Sequence, residues 1–149
     1  DGSNIKPDDV VIGIESSGLH SNGYTLVNDM LWRNYIYYKE MPELLVPTII
    51  YARLIQHLLD EVPILGMAHI TGGGLPENLP RCLPEGLTVD VDWSAWERPE
   101  LFNKMRNVFN CGIGFCLVVP PDAVELVQNL IADTPFGMRS WVIGTIKTK

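Results

Sequence analysis

The run Val10-Val11-Ile12-Gly13-Ile14, four of its five residues β-branched, constrains this chain more than any other segment. β-branched side chains are stiff at χ1 and suit a pleated sheet, so the run predicts a short buried strand. It empties into Glu15-Ser16-Ser17-Gly18-Leu19-His20-Ser21-Asn22-Gly23-Tyr24, a stretch of hydroxyls, an imidazole and an amide. Gly18 and Gly23 give that stretch backbone geometry that other residues resist. Beyond it, Tyr24, Val27, Met30 and Leu31 fall at helical spacing, so a helix follows the loop.

The same order recurs about fifty residues on. Met67-Ala68-His69-Ile70 reads as a second strand feeding Thr71-Gly72-Gly73-Gly74, and Leu75-Pro76-Glu77-Asn78-Leu79 reads as a helix start. Proline is favoured at the first helical position and glutamate suits the first turn. Between the two units, Pro47-Thr48 opens a helix with Thr48 as its N-cap and Pro63 as its stop; Tyr51, Leu54, Ile55, Leu58, Leu59 and Val62 form its stripe. Residues 32–45 are aromatic-rich without a clean period, which fits tyrosines packed over a helix end or a base-stacking surface. Further strands are predicted at Leu87–Val91, Phe115–Val119 and Trp141–Ile146. Further helices are predicted from Pro99 to about Met105 and from Pro120-Pro121-Asp122 onward. Strands alternating with helices predict one layered α/β (α+β) domain over residues 1–149.

The 149 residues suffice for one core, and 46% hydrophobic against 19% charged residues describes a globular protein. A net charge of −7 argues against a nucleic-acid groove, which needs a basic face. It leaves phosphorylated small molecules open, because backbone N–H groups can hold them. No apolar run approaches a membrane span, so no membrane partner is expected, and the expected location is the cytoplasm. Cys82, Cys111 and Cys116 contain no CxxC pair and read as reduced thiols. Asp1 is not Met and the first residues read as the middle of a protein, so the chain is expected to belong to a longer one.

Each glycine-bearing loop follows a strand and precedes a helix, so its N–H groups can converge on an anion. Neither loop is a P-loop: GxxxxGK[ST] and GxGxxG are both absent. From the residues alone, anion binding and simple chain reversal are evenly balanced. His20 and His69 stand at loop or strand ends, which suits general acid–base work, a hydrogen bond to phosphate, or capping of a turn. No carboxylate or cysteine lies at short ligand spacing from either, so no metal site is expected.

The block Gly13–Val27 resembles the signature that opens the C-terminal domain of the aminoimidazole ribonucleotide (AIR) synthetase family. The resemblance continues through Pro47-Thr48 with Ile50-Tyr51, Met67–Arg81, Leu83-Pro84, Phe109–Gly114 and Trp141–Gly144. These blocks run in family order and span nearly the whole chain. Two stretches depart from the pattern: residues 32–45 are shorter than the family's linker, and a segment expected after Leu101-Phe102 is missing.

The resemblance implies a PurM-like C-terminal domain, with a layered mixed sheet, flanking helices and partial ferredoxin-like topology. It implies ATP-dependent cyclisation of formylglycinamidine ribonucleotide to AIR in purine biosynthesis, with activation of the formyl amide oxygen and attack by an amidine nitrogen. ATP and Mg²⁺ would be bound mainly by an N-terminal domain not contained in this chain, within a homodimer. His20 would be catalytic; Ser16, Ser17, Ser21, Asn22, Thr71, Gly72, Gly73 and Gly74 would bind substrate or phosphate. Rival readings are another ATP-activating small-molecule kinase or synthetase of the same superfamily, or a non-catalytic interaction domain.

Overall fold

The computed structural model describes residues 2–33, 42–98, 102, 109–133, 135 and 137–149. Five strands, β1 (Val10–Glu15), β2 (Gly66–His69), β3 (Leu87–Val91), β4 (Ile113–Val119) and β5 (Ser140–Thr148), form one sheet in the order β2-β4-β1-β5-β3. All four ladders are antiparallel. The expected layered α/β architecture holds, but the expected mixed sheet is corrected to an antiparallel one. The reason is topological. Strands joined through a helix run parallel, yet β4 separates β1 from β2, and β1 separates β4 from β5. These interlocked split β-α-β units give the ferredoxin-like order, with β3 added beside β5.

Helices cover both faces. On one side lie α1 (Tyr24–Trp32), α3 (Gly74–Asn78) and the 3₁₀ turn Leu79–Cys82, packing Val27, Leu75 and Leu79 against Val11, Cys116 and Ile143. On the other lie α2 (Ala52–Glu61) and α4 (Val124–Asp133), which bring Leu54, Leu58, Val127 and Ile131 onto Ile12, Ile14, Leu117 and Val119. Alternate residues of β1 thus enter two different cores, as a strand covered on both faces requires.

Several expected boundaries shift. The second helix starts at Ala52 with Tyr51 at its N-cap, not at Thr48. Residues 47–49 are instead non-helical and bonded to the opening loop, where Ser17 donates to the Pro47 carbonyl at 2.8 Å. Leu59 leaves the expected stripe and is substantially exposed. Most of the helix expected over residues 99–105 lies outside the described residues, although Phe102 is fully buried. Of the aromatic-rich patch, Trp32 is 89% exposed and Tyr35 to Tyr38 lie outside the described residues; the carbonyl of Leu44, at its end, accepts from the Tyr24 hydroxyl of α1. Cys82, Cys111 and Cys116 are reduced thiols, as expected. Among the described residues no helix is long and apolar enough to cross a membrane.

One ion pair ties the end of β1 to the start of β5: Arg139 Nε lies 2.8 Å from Glu15 Oε2, and the Arg139 N–H donates to Glu15 Oε1 at 2.9 Å. The guanidinium is mostly exposed and screened. Arg139→Ala is therefore expected to cost only about 0.5 kcal/mol, a melting shift of about 1–2 °C by calorimetry.

Candidate functional site

β1 and β2 are both antiparallel to β4 and therefore parallel to each other. Their following loops, residues 16–23 and 70–73, leave the same end of the sheet, two strand spacings or roughly 10 Å apart. The turn that enters β4 lies between them. The topology, rather than any local signal, brings the two loops to one end of the sheet.

The opening loop is held in a strained shape by side-chain bonds. His20 and Ser21 take left-handed backbone angles, φ +52° and +57°, which cost roughly 1–2 kcal/mol each outside glycine. The Asn22 amide donates to the His20 carbonyl at 2.7 Å, and Thr48 Oγ1 approaches Ser21 Oγ at 3.5 Å. Ser16 donates to Asn110 Oδ1 at 3.2 Å. The hydroxyls of Ser16 and Ser17 are thus already engaged within the protein.

His20 is only 3% exposed. Its Nε2 accepts the Ser17 N–H at 3.0 Å, so the proton of the neutral ring is assigned to Nδ1. Nδ1 is buried beside Gly114 and has no hydrogen-bond partner among the described residues. Burial, reinforced by His69, lowers its pKa to about 4, so the ring is uncharged at neutral pH. Gly114 makes this possible: a Cβ there would strike the Tyr51 hydroxyl and lie 2.5 Å from His20 Cε1. Tyr51 donates to the Glu15 carbonyl at 2.6 Å, and burial pushes its phenol above the ordinary range. The Tyr51 ring lies 5.4 Å from Phe115, and His69 stacks on Phe115 at 5.9 Å. An apolar groove of about 490 Å³ opens beside this cluster, lined by Ile49, Ile50, Met67 and His69 among others.

Asn78 organises the second loop. It is buried, accepts from Thr71 Oγ1 at 3.2 Å, and donates to the carbonyls of Thr71, Gly72 and Gly74 at 3.4, 3.2 and 2.8 Å. A trans peptide points its C=O and N–H in opposite directions. Carbonyls turned toward Asn78 therefore leave the Gly72 and Gly73 N–H groups turned outward, where neither finds a partner among the described residues. The Gly74 N–H is spent on the Thr71 carbonyl at 3.0 Å. Glu77 curls back over Gly73, where a Cβ would overlap its carboxylate.

The corner Phe109-Asn110 joins the two loops. A Cβ at Gly23 would lie 2.5 Å from Phe109 Cζ, and a Cβ at Gly74 would overlap the Phe109 carbonyl oxygen. Asn110 donates to the Gly18 carbonyl at 2.7 Å and accepts the Gly112 N–H at 3.0 Å. Across the gap, Asn22 Oδ1 would lie 3.9 Å from a Cβ at Gly72.

The expected site residues Ser16, Ser17, His20, Ser21, Asn22 and Thr71–Gly74 therefore gather at one end of the sheet. The expected direct contact between His20 and a ligand meets a closed wall, because Ser17, Ile49, Gly114 and Tyr51 enclose the ring. Asn78, Asn110, Gly114 and Tyr51 escaped sequence reasoning as site residues. Only the polarity of the two asparagines beside glycine-rich turns hinted at clasps.

A model of the family AIR synthase related protein, C-terminal domain, matches residues 6–149. Phosphoribosylformylglycinamidine cyclo-ligase of Prochlorococcus marinus (strain MIT 9211) is 45% identical over 168 aligned positions, covering 99% of this chain and 48% of that protein. The cyclo-ligase of Nitrosospira multiformis is 40% identical, covering 98% of this chain and 46% of that protein. The chain spans about half the length of the curated relatives it matches. Among solved structures, a hydrogenase maturation protein HypE superposes at TM-score 0.71 with 18% identity, over 99% of this chain and 47% of that one. HypE of E. coli gives 0.70 with 19% identity, over 100% and 46%, a likeness of fold alone. A match along nearly the whole chain, together with two loops converging at one sheet end, assigns this chain to the AIR synthase-related C-terminal domain family.

Proposed function

We propose that this chain is the C-terminal half of an ATP-dependent cyclo-ligase that closes formylglycinamidine ribonucleotide to AIR. The observation that supports this most is the 45% identity to a phosphoribosylformylglycinamidine cyclo-ligase across 99% of the chain. In this reading ATP supplies the phosphoryl group that turns the formyl oxygen into a leaving group. ATP and the accompanying Mg²⁺ belong mainly to the other half of a cytoplasmic homodimer. Among the described residues no group of three His, Cys, Asp or Glu could hold a metal.

The paired outward N–H groups of Gly72 and Gly73 suit a phosphate oxygen, whether of nucleotide or of ribonucleotide. Glu77 must swing clear of Gly73 for that anion to seat, which a side chain with three rotatable bonds can do. Thr71 and Gly74 shape the loop: the Thr71 hydroxyl is held by Asn78, and Gly74 permits close approach to Phe109. Asn22, at the gap between the loops, orients substrate, and the Ser21 hydroxyl adds a weakly held donor. Ser16, Ser17 and His20 keep the loop in its strained shape, and His20 acts through that shape rather than by touching the reacting atoms.

The test uses the full-length protein with formylglycinamidine ribonucleotide, ATP and Mg²⁺, following AIR, ADP and phosphate. Equal yields of all three are expected, and Asn22→Ala should lower kcat/KM at least tenfold, about 1.4 kcal/mol of transition-state stabilisation. ADP release with a different acceptor would point to another ATP-activating enzyme. No binding of either substrate would point to an interaction domain.

A further inference from the structure

We infer that Asn110 is a positioning residue: its carboxamide locks the opening loop to the turn entering β4 and thereby fixes the spacing of the two loops. The inference rests on the reading that both loops serve one site. Asn110 is buried and every polar atom of its side chain is used. Its Nδ2 donates 2.7 Å to Gly18 O; its Oδ1 accepts the Gly112 N–H at 3.0 Å and the Ser16 hydroxyl at 3.2 Å. The Ser16 N–H in turn donates to the Gly112 carbonyl at 2.8 Å, so loop and turn are stitched by main chain as well. Phe109, next in the chain, abuts Gly23 of the first loop and Gly74 of the second. The corner therefore touches both loops, and Asn110 provides its only side-chain hydrogen bonds to the first among the described residues.

The bond to Gly18 matters because it anchors the strained turn at His20. Two residues beyond Gly18, His20 sits in a left-handed conformation, with its Nε2 capturing the Ser17 N–H. Releasing the Gly18 carbonyl lets this four-residue turn relax toward ordinary backbone angles, which would uncover His20 and shift Asn22 relative to Gly72. Two substitutions separate this role from simple turn capping. Asn110→Asp keeps an acceptor for Gly112 and Ser16 but, when ionised, loses the donor to Gly18 and sets a charged oxygen against its carbonyl. Asn110→Ala loses every bond.

The experiment records the His20 ring signals by NMR titration and the ring-closure kinetics in the full-length protein. In the folded Ala variant, His20 is expected to titrate near the ordinary value of about 6.5, against about 4 in the wild type. At pH 8, kcat/KM of the Asp variant should fall at least tenfold, because the ionised carboxylate repels the Gly18 carbonyl that the amide had held. Should the Ala variant not fold, the Asp variant carries the test through its own His20 signals and kinetics. Wild-type His20 titration in a folded variant overturns the inference, because the loop then holds its shape without Asn110. A shifted His20 with undiminished turnover upholds the positioning role and overturns instead the reading of the two loops as one site.

Discussion

Gly74→Ala is expected to lower the melting temperature by roughly 9 °C, because both the backbone conformation and the neighbouring main chain oppose the added methyl group. Gly74 has φ +60°, a conformation that costs an L-residue about 1–2 kcal/mol. A Cβ built there also overlaps the Phe109 carbonyl oxygen and lies 3.2 Å from its carbonyl carbon. Those atoms are main chain and cannot rotate away, so the clash adds about 1–3 kcal/mol. A total of about 3 kcal/mol, at about 2–4 °C per kcal/mol for a chain of this length, gives the expected shift. Gly86→Ala is the internal control. Gly86 has φ +83° with nothing within 4 Å of the added carbon, so only the backbone term applies and about 3–5 °C is expected. Thermal unfolding of both variants by circular dichroism decides: equal shifts would mean that contact with Phe109 carries no energy. The same variant should disturb the loop, because Gly74 can retreat from Phe109 only by moving Thr71–Gly73.

That steric seam could not be read from the sequence, whereas the loop it supports could. The β-branched run at Val10–Ile14 and the glycines after each strand were local signals, and local signals place strands and loops well. The fold's remaining information is long-range. Asn110 meets Gly18 and Ser16 across 92 and 94 residues, and nothing at either end of those separations marks the partner. The resemblance implied a mixed sheet, and the alternation of strands with helices could not correct it, because that pattern is equally compatible with split units in which a third strand intervenes. The helix start at Thr48 failed for a related reason. Local capping chemistry favoured it, but the Pro47 carbonyl and the Ile49 N–H are drawn to Ser17 and His20, so the helix opens only at Ala52. In each case tertiary bonds overrode a sound local preference.

Acid should destabilise the wild type more steeply than His20→Asn, and the sign follows from the ring's surroundings. Burial lowers the folded-state pKa of His20 to about 4, while the unfolded chain has about 6.5. Between those values the unfolded state binds more protons, so stability falls as pH falls. The contribution is complete above about pH 6.5 and is lost progressively down to about pH 4. At pH 4.5 the loss amounts to up to about 2.5 kcal/mol. Asparagine is chosen because it tolerates the left-handed angle of +52° and carries no titrating group. Urea unfolding at pH 7.5 and pH 4.5 should give a larger stability drop for the wild type, by up to about 2.5 kcal/mol. Equal drops would mean that His20 takes up its proton as readily in the folded chain as in the unfolded one. The ring would then have to reach solvent, which the Ser17 N–H on Nε2 and the Gly114 backbone against Nδ1 prevent in this fold.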